Sequence, residues 1–531
     1  MGKSLDLTDS LSIFLYCLVL FGIALYQSRK LKRQDDIYLA GRSMSRWPIA
    51  ISMYMAIFST ITFLGSTGWV SRPHGTIWIG VQSFGSMLAV PLVVELYPAL
   101  YFRLRITSAY EYLNLRFNNA VRSMATLVFL SARLMWMSTI LYSASLVVSM
   151  MLGWTPLNGF PNGKFWAILA IGSLATGFAL IGGMRGVIWT DVLQFFVLLS
   201  GLFIIITLGL AKSGGVTNVV RTGLDTGRFT FPSLFSFTDD LSLLGGMLQG
   251  FVGILSMSGS DQVLLQQYLT ARSEKEAKAS IWRNGIFLKP VSLIFPLVGL
   301  IMFAYYRAHP EVACLMRIPD DALPVFVTNV FPTGVRGLMT IAMVAAVLNS
   351  VQSGLAAVAA TLQVNYVNRW FARPLSDRGS LLLARSLILL TGVTIIVAAC
   401  GVQHLGQRVS VIQVLNIVMY PFTGILLGIF LLGILSHRAN PPGVLIGSVI
   451  GLFVTAAFPL TQILAPVLHP GILRDIARVS NFYFAFIGAV ATVGAGYAAS
   501  LLFAPPPKVK LEGLTRRSLP APGVRTAEPV A

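Results

Sequence analysis

The sequence predicts an all-α integral membrane protein of about 13 transmembrane helices, and three observations carry that prediction. Of 531 residues, 55 % are hydrophobic and only 11 % charged, whereas soluble domains carry about 25 % charged residues. The mean hydropathy is +0.75. So little polar surface cannot cover a water-soluble body of this size, which excludes an ordinary soluble enzyme. The third observation is the placement of the basic residues. With the N-terminus outside, 25 of the 39 Lys and Arg fall on the cytoplasmic side and 12 on the other, the bias that orients membrane spans. That bias accounts for the +19 formal charge without nucleic acid.

A membrane helix needs about 20 mostly apolar residues. Spans are therefore expected at 9–27, 47–70, 77–101, 123–151, 164–181, 187–211, 241–260, 285–306, 325–363, 380–400, 409–435, 441–464 and 481–503. The first has neither a basic start nor a small-residue cleavage site, so a retained helix is expected rather than a signal peptide. The second contains MYMAIFSTITFLGSTG (53–68), where Ser59, Thr60 and Thr62 precede two glycines. The third carries Glu95 near its cytoplasmic end, and the fourth carries Arg133. The short loop 183–186 divides the fifth from the sixth, which holds Thr190 and Asp191. The seventh ends in GILSMSGSDQ (253–262) and the eighth contains Lys289. The ninth is long enough to include a short approach helix before Gly337. Beyond the thirteenth, residues 505–531 form a basic, Pro-rich tail expected to be disordered and cytoplasmic, leaving 1–504 as the membrane domain. No GxxxxGK[ST] phosphate loop is present, and Cys17, Cys314 and Cys400 fit no metal or redox spacing.

A charged side chain within a span costs several kcal/mol unless it is paired or solvated, so each is a candidate for function. Arg133, Asp191, Asp261 and Lys289 lie deepest. An ion pair or a carbonyl cap accounts for Arg133 as well as a functional role does. Asp191 beside the Thr190 hydroxyl suits a hard-oxygen cation site. Lys289 either neutralises one of the acids or receives an anionic solute. The Gly- and Ser-rich interruptions of spans 2 and 7 lie five spans apart, so spans 2–6 and 7–11 read as two equivalent units. Discontinuous helices at matching positions of two halves point to a transporter's central site. In the ninth span, Ala346, Asn349, Ser350 and Ser353 share one helical face. Such a stripe of oxygens either replaces part of a sodium ion's hydration shell or hydrogen-bonds between helices.

Four segments in order resemble the sodium/solute symporter family: YLAGRSMSRWP (38–48), ITSAYEYLNLRFN (106–118), GGMRGVIWTDVLQ (182–194) and SDQVLLQQYLTARSEKEAK (260–278). The resemblance extends over about residues 9–503 and implies the leucine-transporter-type fold, two five-helix inverted repeats with flanking helices. It also implies sodium-coupled uptake of a small solute by alternating access in the cell membrane. Carried over to this sequence, the sodium ligands are the Met55 and Phe58 carbonyls, the Ala346 carbonyl, and side-chain oxygens of Asn349 and Ser350. Oxygen donors suit a hard cation. The family usually has two adjacent hydroxyl residues where this chain has Asn349-Ser350. Asp191 matches the acid of a second sodium site found in some members, but Gln352 and Ser353 stand where its hydroxyl partners would be. One sodium per cycle is the expectation. For the solute, the resemblance implies a cavity lined by Thr62, Asp261, Gln262, Lys289, Gln413 and Asn416. The segments FSTITFLG and GLIMFAYY look like the branch that moves monocarboxylates and vitamin-like anions; a sugar or amino acid is the alternative. From other classes, the alternatives are a proton-coupled transporter-like sensor and a membrane-embedded enzyme using Asp191, Asp261 and Lys289. The sequence has no nucleophile motif or clustered His or Cys for the enzyme. Lipid is the expected surrounding, with neither nucleic acid nor an obligate protein partner.

Overall fold

The computed structural model describes residues 6–29, 31–58, 60–72, 74–154, 159–316, 321–369, 375–405, 411–464 and 471–518, without the side chains of 60–62, 369, 404, 405, 411–418, 420, 421, 463 and 472. Among the described residues there is no strand beyond one isolated bridge between Met44 and Ala271. The principal helices are α1 (Leu7–Ser28), α2 (Arg46–Ile57), α3 (Thr60–Ser71), α4 (Val81–Leu96), α5 (Ala109–Arg116), α6 (Asn119–Met151) and α7 (Gly163–Lys212). They continue with α8 (Leu243–Gly259), α9 (Gln262–Leu269), α10 (Glu274–Ala308), α11 (Ala322–Val330), α12 (Val335–Asn365) and α13 (Asp377–Leu405). The last three are α14 (Val411–Leu435), α15 (Pro441–Leu464) and α16 (Phe484–Leu501). Among the described residues, nine helical segments are long and apolar enough to cross a bilayer core, or ten with the bent α8–α9 pair as one span, against the thirteen expected.

The irregularities have local causes. α7 would extend about 75 Å if straight, more than two bilayer cores, but it breaks at Gly183, where φ is +54°. A Cβ there would lie 3.1–3.2 Å from Leu31 and Ile37, so both backbone and space require glycine. α10 passes through a π turn (Arg283–Leu288) and a 3-10 turn (Lys289–Leu293) before becoming regular at Ile294. Pro290, which lacks an N–H, sits at that irregularity directly after Lys289. The expected ninth span divides into the short α11 and the long α12. α12 is buried along almost its whole length, whereas α1 lies mostly outward. α1 is nevertheless fixed to it: Asp9 Oδ1 accepts from the Gly334 and Gly337 amides, 2.7 Å each, at the start of α12. α15 and α16 approach through small residues; a Cβ on Gly447 would sit 2.5 Å from the Gly496 Cα.

The tail departs from its expected solvated state over residues 505–518. The Tyr112 hydroxyl donates to the Leu514 carbonyl (2.9 Å), Lys510 Nζ donates to the Leu115 carbonyl (2.9 Å), and Thr515 is buried. Arg516 reaches Glu95 at the end of α4 (3.3 Å). Side-chain donors thus hold the segment against the bundle; residues 519–531 lie outside the described residues.

Candidate functional site

Two helices are interrupted in the middle of the bundle. α2 ends where Phe58 turns extended (φ −74°, ψ 114°), and the chain resumes as α3. A helix end leaves its last carbonyls without intrahelical partners. The Phe58 carbonyl faces α12, where Ser350 Oγ lies 3.2 Å from it and 3.3 Å from the Ala346 carbonyl. One hydroxyl proton cannot fully satisfy two carbonyls, so three oxygens close enough to share a cation converge here. Asn349, next to Ser350, is fully buried, and its amide oxygen and nitrogen have no hydrogen-bond partner among the described residues. Met55 is fully buried in the last turn of α2. The expected sodium ligands Phe58, Ala346 and Ser350 are therefore brought together, with Asn349 next to Ser350 and Met55 three residues before Phe58.

Asp191 is fully buried in the second half of α7. Its Oδ2 accepts from Ser52 Oγ of α2, and among the described residues its Oδ1 has no hydrogen-bond partner. The neighbouring hydroxyl is Ser52 rather than Thr190, whose Oγ1 donates to its own helix at the Val187 carbonyl (2.9 Å). Ser353 Oγ likewise donates within its own helix, to the Asn349 carbonyl (2.7 Å), and the Gln352 amide is buried with no partner among the described residues.

Beside the ion corner lies a cavity of about 240 Å³ whose wall includes Phe58, Arg133, Trp136, Asp261 and Lys289. Pockets for drug-sized ligands run about 300–1,000 Å³, so a small solute fits. Arg133 of α6 is 1 % exposed, yet among the described residues its guanidinium makes no hydrogen bond and pairs only with Asp261, Nη1 to Oδ2 at 3.7 Å. Across the cavity, Lys289 has no ion pair among the described residues. Gln82, Gln249, Ser66, Ser83 and Ser292 supply further polar groups. The cavity and the oxygen cluster share the end of α2, where Phe58 belongs to both, and α12 packs behind Arg133. Gly354 stands one turn after Ser350, and a Cβ on it would be 3.4 Å from Arg133 Nε.

Of the residues expected in the solute wall, Asp261 and Lys289 line the cavity. Gln262 does not. Its amide accepts from the Ala109 N–H (2.8 Å) and donates to the Thr107 carbonyl (2.7 Å), so both ends hold the approach to α5. The side chains of Thr62, Gln413 and Asn416 lie outside the described residues. Arg133, Gln82 and Gln249 were missed as solute-facing groups; polar side chains within apolar spans were the available signal.

These features are those of a class, the helical secondary transporters: broken helices that meet a cluster of oxygens beside a central cavity. The sodium:solute symporter family model matches residues 37–451, and the chain belongs to that family. It is 28 % identical to the sodium-coupled monocarboxylate transporter 2 of Bos taurus over 90 % of this chain and 80 % of that protein. It is 26 % identical to the sodium/sialic acid symporter SiaT of Proteus mirabilis over 94 % of this chain and 96 % of that one. The sodium-dependent multivitamin transporter of Oryctolagus cuniculus is 30 % identical over 79 % of this chain and 64 % of its own length. A solved sodium-coupled sialic acid symporter, substrate-bound and outward-open, shares the fold with a TM-score of 0.81 at 24 % identity, covering 94 % of this chain and 99 % of that one. The protein is thus a multi-pass, sodium-coupled transporter of a small organic solute, not an enzyme.

Proposed function

We propose that this symporter imports a small organic anion, a monocarboxylate or vitamin-like acid, with one sodium ion per cycle. The observation that carries the reading is the charge of the cavity. Arg133 and Lys289 face it against the single carboxylate of Asp261 among its described lining residues, leaving a net positive site. A buried guanidinium without hydrogen bonds is the fork-shaped donor set that a carboxylate fits. Met55, Phe58, Ala346, Asn349 and Ser350 hold the sodium ion, and Asp191 is the anchor for any second cation. Sodium is cargo here, and its binding organises what the solute meets. The ion draws the Phe58 carbonyl toward α12 while the Phe58 ring forms part of the solute wall. The solute in turn engages Arg133, which packs against α12 one turn from Ser350. Each ligand therefore favours the arrangement the other needs, a reciprocal coupling.

The test is uptake into proteoliposomes under an imposed inward sodium gradient, with a panel of pyruvate, sialic acid, iodide, glucose and proline. Carboxylates should accumulate, and replacing sodium by choline should abolish their uptake. Uptake of the neutral solutes alone overturns the anion reading. Lys289→Gln should weaken carboxylate uptake far more than that of any neutral analogue; an equal loss of both would give Lys289 a structural role. Full uptake in choline that collapses with a protonophore overturns the assignment of sodium at Ser350.

A further inference from the structure

We propose that Asp261 is the resident counter-ion of Arg133, a specificity-determining residue whose carboxylate the solute must displace; this rests on the anion reading above. Asp261 occupies the interruption between α8 and α9, which bend by 57° from each other. Its two oxygens have different tasks. Oδ1 accepts from the Val263 N–H at 2.8 Å and caps the start of α9. Oδ2 points to Arg133 Nη1 at 3.7 Å, within reach of charge attraction but beyond hydrogen-bond distance. Among the described residues the guanidinium has no hydrogen bond, although it is 1 % exposed. A permanent structural ion pair at this depth would close to bidentate geometry, because a buried, half-satisfied cation is costly. The gap leaves Arg133 neutralised at long range and its donors unengaged, facing a cavity wide enough for another carboxylate.

The consequence is a charge filter. With Arg133 and Lys289 against Asp261, the wall carries one net positive charge, which a monoanion balances. A dianion would set its second charge against Asp261. When a monoanion takes Arg133, Asp261 keeps its cap on α9 but loses its hold on α6. The α8–α9 break is then free to shift relative to α6, linking solute recognition to a helix interruption that can move.

Asp261→Asn keeps an oxygen to cap α9 and removes the charge. In proteoliposomes it should lower the KM for pyruvate or sialic acid, whichever the wild type carries, by about tenfold, the scale of removing a like charge a few ångströms from the binding site in a medium of intermediate dielectric. It should also permit sodium-driven uptake of succinate, a dianion that the wild type excludes. A merely structural role predicts neither gain. Asp261→Ser, shorter but also a capping residue, is the companion variant should the asparagine protein not fold, and the same two gains are expected of it. An unchanged or raised KM in a folded variant, continued exclusion of succinate, or the failure of both variants to fold overturns the proposal. Arg133→Gln separates the two levels. If it leaves carboxylate uptake intact, or the wild type carries no carboxylate, the anion reading itself fails. If it abolishes carboxylate uptake while Asp261→Asn gains nothing, only the role of Asp261 fails.

Discussion

The two helix interruptions are built alike and used differently. Each contains an extended residue, Phe58 (φ −74°, ψ 114°) after α2 and Asp261 (φ −93°, ψ 126°) before α9. Each strands backbone carbonyls in an apolar interior, where an unsatisfied polar group costs about 1–3 kcal/mol. At the second interruption the protein supplies the partners itself. The hydroxyls of Tyr268, Tyr101 and Tyr110 donate to the carbonyls of Ser258, Gly259 and Ser260. At the first, the Phe58 carbonyl has, among the described residues, one serine hydroxyl, which it shares with the Ala346 carbonyl. Phenols seal one break; among the described residues the other has one hydroxyl between two carbonyls. Under the proposed function, it is this shortage of protein donors, more than the break itself, that suits the first interruption to a cation.

Predictions ranked by size sharpen that contrast. The largest effect is expected for Gly259→Ala at the sealed break. Its new Cβ would lie 2.0 Å from the Tyr97 ring, overpacking that costs about 3 kcal/mol or more. Melting in detergent should show a folded fraction that is lost or strongly depleted, and a wild-type melting point would disprove the tight packing around this break. Ser350→Ala comes next. Losing one sodium ligand should cost about 1–3 kcal/mol of ion binding, roughly a 5- to 150-fold rise in the sodium concentration for half-maximal uptake. Its melting point without sodium should change little. A normal sodium dependence in this variant would remove the ion from the first break. Tyr110→Phe should do the reverse, lowering stability by about 1–2 kcal/mol through the orphaned Ser260 carbonyl and leaving the sodium requirement unchanged. If it shifted sodium dependence as Ser350→Ala does, the two breaks would not be functionally distinct. Smallest is Arg516→Ala, remote from both interruptions. Its exposed contact with Glu95 should contribute less than about 1 kcal/mol to the melting free energy, which sets the background for the other three.

Much of this was open to reading in the chain alone. Hydropathy is a local property, so long apolar stretches located the membrane helices, and Gly- and Ser-rich interruptions within them marked α2–α3 and α8–α9. The stripe on α12 put Ala346, Asn349 and Ser350 on one face, because helical spacing is fixed by the backbone. Pairings between distant segments were not legible. Nothing local indicates that Arg133 meets Asp261, that the Gln262 amide is consumed by the Thr107–Ala109 turn, or that Ser52 rather than Thr190 reaches Asp191. Nor does a basic, Pro-rich composition reveal that Leu514 and Thr515 are held against the bundle. The sequence by itself determined the class of protein, the helices and the charges placed at a cost inside them. Only the tertiary structure decided which of those charges face one another and which line the central cavity, because that depends on distances of a few ångströms between helices far apart along the chain.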